Sequence, residues 1–143
     1  MRIRIEAPPE RIFPLAADVE RWPELLPHYR YVRRLPAGGD ERRFAMGARR
    51  GRIPVRWEAT QRPRPDEGVI EFTHTGGVTR GMQVAWRLAP DGAATDVSIE
   101  HRLDLRWPLV GGFVASRIIG PHFVDAIAGR TLRQMKRFVE QDR

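Results

Sequence analysis

The chain has 143 residues, 41% of them apolar and 30% charged, which is one domain's length and leaves no room for a second. It contains 0 cysteines, which excludes a disulfide scaffold, thiol catalysis and cysteine-ligated zinc or iron–sulfur clusters. The net charge is +7, and of the 25 basic residues Lys136 alone is a lysine; the arginines are scattered with acids between them, so nucleic acid is not an expected partner.

Residues 1–6 alternate charged and apolar, with Ile3 and Ile5 on one face, and predict a strand. Pro8-Pro9-Glu10 opens a helix carrying Ile12, Phe13, Leu15 and Ala16, since proline fits a first turn. A second short helix spans Val19 to Leu26, with Asp18 as its N-cap and Pro27 as its stop. Six strands follow, at 28–35, 42–50, 53–62, 69–75, 81–88 and 95–106, separated by Gly- and Pro-rich turns. Short links between them predict sequential antiparallel pairing. After Trp107-Pro108 the apolar period becomes helical: Val110, Val114 and Ile118, then Val124, Ile127, Thr131, Met135 and Phe138. Gly120-Pro121 predicts a kink or a restart.

This order predicts an α+β domain spanning 1–143: a seven-stranded curved antiparallel sheet around a long C-terminal helix, with two short helices after the first strand. One amphipathic helix is too narrow to cover seven strands, so the sheet curls around it. What remains between them is core or cavity. No apolar run approaches the roughly 20 residues that span a bilayer. Charges occupy the N-terminal stretch where a secretory signal has its apolar segment, so a cytoplasmic location is expected.

The stretch from Ile12 to Pro27, with its Asp18-Val-x-x-Trp22-Pro-x-x-Leu-Pro27 pattern, resembles the polyketide cyclase/dehydrase family. The resemblance continues through Gly81 to Leu88, Thr95-Asp-Val97 and the Trp107-Pro108 junction. It extends to the related coenzyme-Q-binding family, and both belong to the START-like, helix-grip (SRPBCC) superfamily. It implies a hydrophobic molecule held between sheet and C-terminal helix, with no cofactor. It further implies that Tyr29, shortly after the Trp-Pro motif, and Arg62, ending a middle strand, line the cavity beside Trp22. Alternation of Ile53, Val55, Trp57 and Ala59 puts Arg62 on the opposite face unless a bulge near Thr60 switches it.

Other candidates come from strand parity. Tyr29 and Tyr31 share a face, and a phenol in an apolar cavity polarises a carbonyl; the plainer alternative is core packing with a wet hydroxyl. His101 lies on the apolar stripe of Val97, Ile99, Leu103 and Leu105, as a pocket acid/base or a hydrogen-bonded core residue. His74 shares the parity of Ile70 and Phe72; with Arg80 it either binds an enolate or carboxylate at the cavity mouth or forms an ordinary hairpin tip. Trp57 and Trp86 either stack a flat ligand or fill the core. His122 contacts the ligand or starts a helix in water, and His28 is a turn residue. No two of the four histidines have helical ligand spacing, so no metal is expected. A P-loop pattern and a serine-nucleophile context are also missing. The apolar stretch Trp107–Ala115 reads as a hinge, with transient contact to a membrane interface as the alternative.

Three functions fit. The first is a polyketide-like or aromatic ligand cyclised, dehydrated or aromatised by acid–base chemistry, with Tyr29 or His101 moving a proton and an arginine facing the oxyanion. The second is a non-catalytic carrier for an isoprenoid quinone or other lipid. The third is a basic module touching ribosome or RNA, which an arginine cluster on one outer face would favour. A monomer or homodimer is compatible with all three.

Overall fold

Alternation becomes sheet wherever a turn follows it. The computed structural model describes residues 1–77, 79–102 and 121–141, with the side chains of 121–124 excepted. Its elements are β1 (Arg2–Ile5), α1 (Pro9–Ala17), α2 (Trp22–Leu25), β2 (Tyr29–Leu35), β3 (Arg42–Arg50), β4 (Ile53–Arg64), β5 (Val69–Gly77), β6 (Gln83–Asp91), β7 (Ala94–Arg102) and α3 (Pro121–Gln141). The strands form one antiparallel sheet in the order β1-β7-β6-β5-β4-β3-β2. Hairpins join β2 to β7 in sequence, and β1 closes against β7. The seven strands, the early helices and the long final helix match the expected architecture, and α3 starts at Pro121. The expectations for 103–106, for Trp107–Ala115 and for the Val110, Val114, Ile118 series lie outside the described residues.

Local chemistry explains the departures. Asp18 ends α1 through its backbone N–H to Pro14 O and makes no side-chain cap. Pro14 sits inside α1 without ending it. A bulge between Tyr29 and Tyr31 advances the register of β2 against β3, so the two tyrosines do not share a face. Tyr29 goes into the core and Tyr31 lies outside over Gly47, where a Cβ would run into its ring. On α3 the buried positions are Ala128, Gly129, Thr131, Leu132, Met135 and Val139; Phe138, expected inside, is 37% exposed.

The core lies between the sheet's inner face and the layer of α1, α2 and α3. Ile5, Phe44, Met46, Ile70, Trp86 and Val97 supply the sheet side, and Ile12, Leu132 and Met135 the helical side. Gln61 occupies the inner parity of β4 and is 1% exposed. Its amide donates to Ala17 O at 2.8 Å and ties the end of α1 to the sheet.

Candidate functional site

The sheet and α3 enclose a cavity of about 80 Å³, or about 630 Å³ once space open to solvent is included. Its wall is aromatic and aliphatic. Trp22 comes from α2, Tyr29 from β2, Trp57 from β4, Phe72 from β5 and Trp86 from β6, closed by Ile127, Ala128 and Thr131 of α3. Ring contacts fix these side chains. Trp22 meets Tyr29 edge-on at 5.0 Å between centroids and Trp86 at 5.7 Å. The Trp22 indole N–H donates to Leu15 O at 3.2 Å, so its polar edge is satisfied by backbone. The motif proline Pro23 occupies the first turn of α2, which carries Trp22 to the cavity.

Three titratable groups line this cavity. Tyr29 is 7% exposed, and burial pushes its phenol up to about 12, so it stays a neutral donor. His74 stacks on Trp57, with centroids 5.7 Å apart and planes 5° from parallel. Its Nδ1 meets the Thr79 hydroxyl at 2.5 Å. Burial, then the neighbouring His101, lowers His74 to about 3. His101 is half-buried on β7 and is lowered to about 4 by burial, against the opposing pull of Asp125 on α3. Both imidazoles are therefore neutral near pH 7.

Of the residues singled out from sequence, Tyr29, His101, Trp22, Trp57, His74 and Trp86 line this one cavity. Arg62 does not. The β4–β5 register does shift, but between Glu58 and Ala59, and the burial alternation of β4 runs unbroken through Gln61, leaving Arg62 exposed on the outer face. Arg80 is also exposed; the turn after β5 sends Thr79 inward instead. His122 lies in the first turn of α3, and its side chain is outside the described residues.

His28 was expected in a turn and is instead 3% exposed. Its Nε2 lies 2.8 Å from Thr131 Oγ1, which donates its own proton to Ile127 O at 2.8 Å. Nε2 must then be the donor, and Nδ1 is a buried acceptor with no partner among the described residues. The signal for Thr131 was its place in the apolar series of the final helix. For His28 a single turn residue beside proline gave none.

The sequence profile of the family described as polyketide cyclase/dehydrase and lipid transport matches residues 5–120. The chain belongs to this family. The actinorhodin polyketide synthase bifunctional cyclase/dehydratase of Streptomyces coelicolor is 30% identical over 101 residues, which cover 69% of this chain and 32% of that protein. The chain thus spans about a third of the length of that curated relative. Among solved structures, the Zhui aromatase/cyclase from Streptomyces sp. R1128 superposes with a TM-score of 0.84 at 17% identity, covering 99% of this chain and 92% of that one. A protein from Thermus thermophilus does so with a TM-score of 0.81 at 22% identity, over 99% and 96%. These likenesses establish the helix-grip fold for this polyketide cyclase/dehydrase family member. Among the described residues no helix is long and apolar enough to cross a membrane, and no cluster of His, Cys, Asp or Glu could hold a metal ion.

Proposed function

We propose that the domain binds a flat hydrophobic molecule, polyketide-like or aromatic, between sheet and α3, and promotes its cyclisation and dehydration by acid–base chemistry without a cofactor. The observation that carries this reading is one wall combining three indoles, a neutral phenol and two neutral imidazoles. Apolar lining with a few convergent polar groups is the usual make-up of a small-molecule site.

The chemistry divides by environment. His101 is the base: Asp125 stabilises its protonated form, whereas His74 meets only burial and a second imidazole. His101 takes a proton from carbon next to a ketone, and Tyr29 donates a hydrogen bond to the enolate oxygen. His74, tied to Thr79 and stacked on Trp57, positions the guest. Among the described residues no arginine lines the cavity; Arg62 and Arg80 stand outside it. The enclosed space of about 80 Å³ is well below the roughly 300–1,000 Å³ of common ligand pockets, so a polycyclic guest has to part the aromatic side chains.

Tryptophan fluorescence tests the reading, since Trp22, Trp57 and Trp86 all line the cavity. Titration with a polycyclic phenol should quench it, and Trp86→Leu should weaken binding. Tyr29→Phe and His101→Ala should slow turnover of a poly-β-ketone by about 100-fold or more, in the usual range for general acid–base catalysis, while binding persists. Arg62→Ala should change neither. A bound isoprenoid quinone released on native mass spectrometry, with affinity indifferent to both variants, would instead make the domain a carrier. Failure to bind either class would sink both readings.

A further inference from the structure

The basic charge is concentrated in one segment of the chain. Residues 28–64 hold 11 arginines against three acids, a balance of +8, and the remaining residues together carry −1. This segment is β2, β3 and β4 with their turns. Alternation sends Arg33, Arg49, Arg56 and Arg62 to the outer face, away from the cavity, and all four are exposed. Arg34, Arg43 and Arg64 are held in ion pairs with Glu20, Glu58 and Glu71. Arg33, Arg49, Arg56 and Arg62 have no acidic partner among the described residues.

The centre of the patch is aromatic. Tyr31, Gly47 and Arg56 form one row across three strands. Gly47 has no side chain, so the Tyr31 ring lies down over its backbone. The Arg33 guanidinium sits 4.7 Å from the centre of that ring. Arg49 is two residues from Gly47 on β3, about 6.8 Å away at strand rise. The Tyr31 ring, laid over Gly47, thus has guanidinium groups over it and beside it on the outer face of the sheet.

We propose that the outer face of β2–β4 binds single-stranded nucleic acid, with a base stacked on the Tyr31–Arg33 pair and phosphates on Arg33, Arg49 and Arg56. Guanidinium planes and aromatic rings both accept stacked bases, and cationic grooves track the backbone. An acidic protein or an anionic bilayer would use the charge but would have no need of the ring laid over a side-chain-free position. The site is on the opposite side of the sheet from the cavity and does not depend on what the cavity does.

The test is fluorescence anisotropy with a labelled oligouridylate, beside inorganic polyphosphate and phosphatidylglycerol vesicles. The oligouridylate should bind with a log–log salt slope of about −2, as expected for three phosphates on a single strand. The triple variant Arg33→Ala/Arg49→Ala/Arg56→Ala should weaken it by about ten-fold or more. Tyr31→Leu should weaken it by about ten-fold, typical of one lost base stack, and leave polyphosphate binding unchanged; Tyr31→Phe should restore the affinity. Thermal melts of each variant report whether the sheet is intact. A ligand preference for polyphosphate or vesicles, equal losses of oligouridylate and polyphosphate in Tyr31→Leu, or full affinity in the triple variant would overturn the proposal.

Discussion

Thr131 shows how one hydroxyl organises two regions. It accepts from a buried imidazole on the chain leading into β2 and donates within its own helix. Thr131→Val keeps the shape and strands the His28 Nε2–H, so urea denaturation should show a loss of about 1–3 kcal/mol. Buried His28 and His74 and half-buried His101 also set a pH dependence. In the unfolded chain each takes up its proton near 6.5, while in the fold His28 and His101 wait until about 4 and His74 until about 3. The unfolded state therefore binds more protons between these values, and stability falls as pH drops from about 6.5 toward 4. The melting temperature should decline across that window. The decline should be shallower in His28→Gln, which keeps a donor for Thr131 but gains no charge. At this scale the sequence was readable where parity was regular: His74, His101, Trp57 and Trp86 fell where alternation put them. The same alternation places Gln61 inside, although its side chain is polar, and leaves the neighbouring Arg62, which the family pattern implies for the cavity, on the outer face.

The elements were legible because turns and periods agreed, and β3 runs over the residues that its pattern marked. What periodicity does not reveal is a single inserted residue. The bulge in β2 puts Tyr31 on the outer face, where alternation alone has it share a face with Tyr29. A second irregularity, between Glu58 and Ala59, sits opposite the end of β5. There Gly77 has a φ of +88° and packs against the backbone of Arg56 and Trp57, where a Cβ would collide. Gly77→Ala should therefore cost about 1–3 kcal/mol in a denaturant melt, the usual range for a residue forced into a sparsely populated conformation. It should also disturb Trp57, and hence the stack on His74, visible as a change in indole emission.

For the whole molecule, the prediction that a narrow helix leaves space under a wide sheet needed only element lengths. The size of that space did not follow, because side chains from eight elements converge on it. Among the described residues the sheet also has two rims, β1 and β2, each hydrogen-bonded to a neighbour on one side only. Such a rim is a template on which identical chains can stack through their amides. Along β2 it carries Arg30, Arg33 and Arg34, so a second copy approaching antiparallel would bring its own guanidinium groups against them. Mutual repulsion of this kind guards against fibre-like self-association. Replacing all three by threonine should remove that guard and raise light scattering on gentle warming, well before the fold melts.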